Sequence, residues 1–336
     1  LDSHPEAHAG VSRELFRVRW CRSVYPRESR EDLAVQEAEF KQFRSQIFAL
    51  YDRQAYAEAL ALIDEKGRSF PDFESDILFW RACLAGRQGD RTGALAALRL
   101  AADRGHWYHE RMLLDPDLDV VRDSEELVDL RRVFQERYEA AQANAKPARQ
   151  VWEPKGDPRG LLVALHGAGG SILSEGDFWR QAVELGWRVA MLQSSQVFSS
   201  GRYHWLDTAK AIDELRHHLA EIGEASFTVL SGFSMGAGLA IRAAMSRSVP
   251  AQGFLVVAPS FRMEQMISMV STAPPSLRGY IVAGTEDRSH RPATELAAAL
   301  QQVGIACDLE EHEGLGHDYP DGFATSLRRG LEFLCS

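Results

Sequence analysis

From Gly160 to the end of the chain, short apolar runs alternate with amphipathic stretches. The runs Gly160–Leu165, Trp187–Leu192, Phe227–Leu230, Gly253–Ala258, Gly279–Ala283 and Ala306–Glu310 have the length of strands. Their nearly unbroken apolar character fits strands buried on both faces. Between them, Phe178–Leu185, Thr208–Glu221, Ala237–Ser246, Met263–Val270, Thr294–Val303 and Ala324–Phe333 read as helices. This alternation predicts an α/β domain over residues 150–336, with a mostly parallel sheet and helices on both faces. Ligands of such sheets sit at the carboxyl ends of the strands, so the loops there should carry the chemistry.

The first half of the chain has a different texture. From Leu33 to about Ala145, alanine, leucine, glutamate and arginine dominate, and apolar residues recur at three- and four-residue steps. That period predicts an all-α domain over residues 1–145. Residues 1–30 lack a clear period, with one short helix expected around Arg13–Trp20. Within the helical region the stretch Tyr56–Ile63 echoes Arg91–Leu98 at a shift of about 35 residues, with Ala59 aligned on Ala94. The echo, over roughly Phe40 to Ala102, resembles tetratricopeptide repeats, whose period is about 34 residues. Leu114–Leu118 and the helix after it read as a closing element. Such a block predicts either a docking or self-association surface or a cap on the second domain. Gln142 to Pro158, carrying Pro147, Pro154, Gly156 and Pro158, marks the boundary.

Three loops after predicted strands carry reactive residue types. Gly232-Phe233-Ser234-Met235-Gly236 follows a strand and opens a helix. In that context G-x-S-x-G holds a serine exposed on a sharp turn, which makes Ser234 the candidate nucleophile. His166-Gly167-Ala168-Gly169-Gly170 ends an earlier strand, and its small residues suit a loop whose N–H groups stabilise an oxyanion. The expected donors are the amides of Ala168 and Met235. His166 itself is expected to pin the loop.

A base should come from a histidine late in the chain, and 11 histidines are available. His317, in the Gly-rich loop after the last strand, is favoured over His312 at the strand end and His290 in the loop before. An acid that orients the base should follow the preceding strand, where Asp287 is favoured over its neighbour Glu286. The chain order Ser234, Asp287, His317 is that of α/β-hydrolases.

With these residues in place, residues 150–336 resemble the α/β-hydrolase superfamily, and within it the phospholipase/carboxylesterase, acyl-protein thioesterase-like branch. The resemblance rests on Leu165–Gly169, Gly232–Gly236, Gly284-Thr285-Glu286-Asp287 and Gly316-His317. Gly201–Asp207 further resembles the branch's G-x-x-x-W-x-D stretch. It implies hydrolysis of carboxylic esters or thioesters through an acyl-enzyme, without metal or organic cofactor. Met235 departs from the branch, which often has glutamine there, and the strands before Gly160 are reduced to about Gln150–Glu153. A serine peptidase or an acyl thioesterase would share the same residues. A helical-repeat binding protein with an inactive hydrolase domain is the alternative from another class.

The substrate wall is less legible. Trp205, Met263 and Met266 are candidates, although the methionine face of Met263–Val270 equally suits a core stripe. Phe198 is a further candidate. Arg202, Arg262 and Arg288 could bind an acidic substrate group but read better as solvated surface arginines. A net charge of -10 over 336 residues argues against nucleic acid as the main partner and leaves a small-molecule ester as the expected one. Four cysteines without metal-ligand spacing read as free thiols in a reducing, cytoplasmic setting. No run approaches the ~20 apolar residues of a membrane span. The chain begins with Leu1, which leaves a removed leader open.

Overall fold

The computed structural model describes residues 30–336, with side chains from Glu39 onward, Lys41 excepted. The helix expected around Arg13–Trp20, and Cys21, lie outside the described residues. The chain divides into two compact units. One runs to Asn144 and also takes in Val197–Gly201; the other comprises Ala145–Gln196 and Arg202–Ser336.

The first unit consists of α1 (Arg30–Asp52), α2 (Tyr56–Lys66), α3 (Glu74–Arg87), α4 (Arg91–Asp103), the single turn α5 (Glu110–Leu113) and α6 (Glu125–Asn144). Asp90 starts α4 by accepting the Gly93 N–H at 2.9 Å, as an N-cap aspartate should. The buried alanines Ala82 and Ala85 of α3 and Ala94, Ala97 and Ala101 of α4 let these two helices pack closely. Behind them Tyr51 Oη donates to Asp117 at 2.8 Å. Burial and then the Asp117 charge push the Asp115 carboxyl up to about 8. Cys83, Asp115 and Asp117 bring one ligand-type atom each within 4.8 Å of one another, a grouping that sequence spacing does not reveal. The Arg87 Nε 3.6 Å from Asp117 already supplies positive charge there.

The segment Val197–Gly201 comes from the other half of the chain, which a boundary near residue 145 does not foresee. Its backbone finds partners in the helical unit. Val197 N–H donates to Gln142 Oε1 at 3.2 Å, and Phe198 O accepts from His109 N–H at 3.2 Å. The Phe198 ring lies against His109, so Phe198 is a packing residue of the helical unit.

The second unit is built on a seven-stranded sheet. Its strands are β1 (Ala148–Trp152), β2 (Leu161–Leu165), β3 (Arg188–Gln193), β4 (Thr228–Phe233), β5 (Gly253–Val257), β6 (Arg278–Gly284) and β7 (Ala306–His312). The spatial order is β1-β3-β2-β4-β5-β6-β7. Only β1 is antiparallel, so one short strand stands at that edge. Alternate residues of β2 face opposite cores. Leu161, Val163 and Leu165 join one, and Leu162 and Ala164 the other. The first core is covered by α8 (Thr208–Ile222), α9 (Ser234–Met245), α10 (Met263–Val270) and α11 (His290–Gln302). The second lies under α7 (Ile172–Arg180) and α12 (Phe323–Cys335).

Two helices begin earlier than their apolar period suggests. Ser171 caps α7 in a reciprocal box with Ser174, which places the helix start before Phe178. In α11 the helix begins at His290 and tolerates Pro292 because a first-turn N–H has no intrahelical partner. The short strand Arg202–Tyr203 was also unforeseen. Arg202, expected at the surface, is buried. Arg262 and Arg288 are exposed as expected. Among the described residues no helix is long and apolar enough to cross a membrane.

Candidate active site

Strand register sets the first part of the site. β2 and β4 are parallel neighbours with Leu165 opposite Gly232, so the loop after β2 and the turn after β4 emerge side by side. That turn is tight. Ser234 has φ +51°, a conformation unfavourable for a residue with a Cβ. A Cβ at Gly236 would lie 2.4 Å from both the Leu165 and His166 carbonyl oxygens. One at Gly232 would lie 2.7 Å from Leu165 O. Both glycines of G-x-S-x-G are therefore demanded by the backbone that leads into the adjacent loop.

His166 holds that loop. Its Nε2 receives the Ser194 N–H at 3.2 Å, so the ring proton is on Nδ1 and donates to Gly167 O at 2.7 Å. Burial lowers the His166 pKa to about 4, only partly offset by the bond to Gly167. The imidazole is thus neutral, and it serves as a fastener, as expected. Trp205 Nε1 donates to His166 O at 2.8 Å, and the Trp205 ring stacks on His166 with centroids 4.7 Å apart.

Ala168 and Met235 face opposite problems and share an outcome. Gly167 N–H and Gly169 N–H on either side of Ala168 are bonded, to Glu175 Oε1 and Tyr203 O. Met235 is the second residue of α9, where helix N–H groups have no intrahelical acceptor. Among the described residues neither the Ala168 nor the Met235 amide finds an acceptor. Both residues are partly exposed.

The other side chains come from the far end of the sheet. β6 and β7 are paired to Gly284 and His312, and the loops beyond them are laced together. Thr285 N–H donates to His312 O at 3.0 Å, and Glu286 N–H to Leu315 O at 3.1 Å. The result brings Asp287 and His317 together, with His317 Nδ1 2.7 Å from Asp287 Oδ2. On its other side His317 Nε2 lies 2.8 Å from Ser234 Oγ. A carboxylate only accepts, so the imidazole proton sits on Nδ1 and Nε2 accepts from the serine hydroxyl.

Asp287 is buried, and burial alone would raise its pKa. The bond and charge of His317, with two bonds from Ser289, outweigh this and hold the carboxyl below its ordinary value. The rivals lie elsewhere. His312 Nε2 bonds Glu310 Oε1 at 2.8 Å, and His290 bonds Glu311. Glu286 is exposed.

The candidate wall residues are more dispersed. Trp205 is buried, and its backbone N–H approaches Met235 Sδ at 3.3 Å. Met266 is buried within the core, while Met263 is partly exposed at the start of α10. Three residues at the site escaped sequence reading: Glu175, Tyr319 and Ser289. The signals were local. Ser171-x-x-Ser174 marks the helix start that places Glu175, and Asp-x-Ser at Asp287–Ser289 is an Asx-turn pattern.

A family model described as the N-terminal domain of A/B hydrolase-like proteins matches residues 39–142. The structure is similar to that of an uncharacterized protein from Bacillus cereus ATCC 10987, at 23% identity and TM-score 0.50, covering 88% of this chain and 98% of that one. Esterase PE8 is similar over 55% of this chain and 99% of its own, at 20% identity and TM-score 0.45. A monoacylglycerol lipase from Paleococcus ferrophilus is similar over 56% and 99%, at 15% identity and TM-score 0.44. No curated protein matches the sequence. The sheet order, the turn at Ser234 and the loops around it define an α/β-hydrolase fold joined to a helical N-terminal unit.

Proposed function

We propose that the protein is a serine hydrolase that cleaves carboxylic esters through an acyl-enzyme, with Ser234 as nucleophile, His317 as base and Asp287 as its orienting acid. The observation that carries this reading is the unbroken line Asp287 Oδ2, His317, Ser234 Oγ at 2.7 and 2.8 Å. His317 Nε2 takes the hydroxyl proton as Oγ attacks the ester carbonyl carbon. The carbonyl electron pair moves to oxygen, where the Ala168 and Met235 amides stabilise it. Collapse expels the alkoxide, which receives the proton from His317. Water, deprotonated by the same nitrogen, then attacks the acyl carbon and releases the acid and Ser234.

Asp287, held ionised by His317 and Ser289, stabilises the imidazolium formed in each half. Each proton removed by His317 is returned, so the cycle needs neither metal nor organic cofactor. Met263, partly exposed at the start of α10, is the candidate wall residue for the acyl group. The acyl-protein thioesterase-like branch and the tetratricopeptide-like character of residues 40–102 belong to the same proposal. Closely packed alanines of α3 and α4 support the latter.

The test is a panel of p-nitrophenyl esters of graded chain length beside a thioester and a peptide amide. Turnover of esters that disappears in S234A is expected. Activity confined to the amide would replace the esterase reading with a peptidase one.

A further inference from the structure

Beneath the loop after β2 lies a buried polar chain that the proposed chemistry does not use. Glu175 on α7 is buried, as are Trp179 one turn on and Tyr319, two residues after His317. Trp179 Nε1 donates to Tyr319 Oη at 3.0 Å. An indole N–H can only donate, so the Tyr319 hydroxyl passes its own proton onward, to Glu175 Oε2 at 3.0 Å. The other carboxylate oxygen, Oε1, accepts the Gly167 N–H at 3.0 Å. Gly167 is the residue before Ala168.

Packing makes the chain rigid. The Tyr319 ring is stacked between Phe178 at 4.0 Å and Phe233 at 4.8 Å, and Phe233 also touches His317 at 5.0 Å. A Cβ at Gly170 would lie 2.4 Å from Glu175 Oε1, and one at Gly167 2.9 Å from Phe233 Cδ1. The glycines of the loop are thus matched to this carboxylate and to the residue preceding Ser234. A full buried carboxylate is an expensive way to satisfy one loop amide. Its second oxygen instead reaches the segment that carries the base.

We propose that Glu175 and Tyr319 are positioning residues that lock the Ala168 oxyanion donor in register with His317. This deepens the esterase reading and rests on it. In the ground state an ester carbonyl gains little from the Ala168 amide, whereas the tetrahedral oxyanion depends on it. Loosening the brace should therefore cost transition-state binding and spare substrate binding.

The experiment compares wild type, Y319F, E175Q and E175A on p-nitrophenyl butyrate and on an alkyl trifluoromethyl ketone, whose serine adduct carries an oxyanion. Melting temperature is followed in parallel. For Y319F we expect kcat to fall about 10- to 100-fold, less than the roughly 100- to 1,000-fold cost of removing an oxyanion donor outright. KM should stay within about threefold, and inhibitor affinity should fall by the same factor as kcat/KM. E175Q, which keeps one oxygen for the Gly167 N–H, should lose less inhibitor affinity than E175A. A lower melting temperature with unchanged kcat and inhibitor affinity in both Y319F and E175Q would overturn the proposal and leave a structural brace. Wild-type protein that neither turns over the ester nor forms the ketone adduct would instead overturn the esterase reading beneath it.

Discussion

Ser289 grips both oxygens of Asp287: its hydroxyl donates to Oδ2 at 2.7 Å and its backbone N–H to Oδ1 at 3.0 Å. Oδ2 is also the atom that His317 Nδ1 approaches. Replacing Ser289 by alanine removes one donor and leaves the backbone bond. A bond to a charged group contributes about 1.5–3 kcal/mol, part of which water can restore. We expect S289A to lose roughly 3- to 30-fold in kcat/KM while staying folded. Sign follows from the lowered Asp287 pKa, which stabilises the folded state above the unfolded value and ceases to do so as pH falls through the folded one. Without the Ser289 hydroxyl the folded pKa rises, so acid inactivation should begin at a higher pH than in wild type. pH-activity profiles of the two proteins check this.

The glycine pattern of the turn gives a second test. At Gly236 an added Cβ would meet two carbonyl oxygens of β2 and its loop at 2.4 Å, whereas at Gly316 nothing lies within 4 Å. G236A must shift backbone, and overpacking of this kind costs about 1–3 kcal/mol or more. G316A should stay within about 0.5 kcal/mol. Denaturant melts of the two variants should differ in midpoint accordingly; equal midpoints would refute the packing account of the motif.

His166 makes stability depend on pH. Its folded pKa, lowered by burial to about 4, lies below the roughly 6.5 of a free imidazole. Between these values the unfolded chain binds the extra proton, so stability is complete above about pH 6.5 and is lost as pH falls toward 4. The full effect is on the order of 3 kcal/mol. His218, also buried and lowered to about 4 by burial and then by Arg149, acts in the same direction. H166N should be less stable at pH 7 and should show a shallower loss between pH 6.5 and 4. Urea titrations at stepped pH measure both.

Much of the arrangement could be read from residue pattern alone. The alternation of apolar runs with helices located all the main parallel strands, because doubly buried strands leave an unbroken apolar signature. That Ser234, Asp287 and His317 come together was legible because each falls in a loop after a strand and their order is characteristic. Glu175 was not, because its helix begins with a serine cap before the apolar period starts. Arg202 reads from sequence as a surface residue and is buried in the structure, since charge alone says nothing about the tertiary partners that allow burial. The contribution of Val197–Gly201 to the helical unit depends on backbone partners such as Gln142 and His109, which are distant in sequence.

Ser234 is the proposed nucleophile, and a fluorophosphonate probe tests that proposal directly. The hydroxyl of Ser234, 2.8 Å from His317 Nε2, should displace fluoride and form one phosphonate adduct per chain. Peptide mapping by mass spectrometry should place that adduct on Ser234, with ester turnover falling in step and S234A remaining unlabelled. Wild-type protein that stays unlabelled, or S234A that labels and turns over esters like wild type, would contradict it.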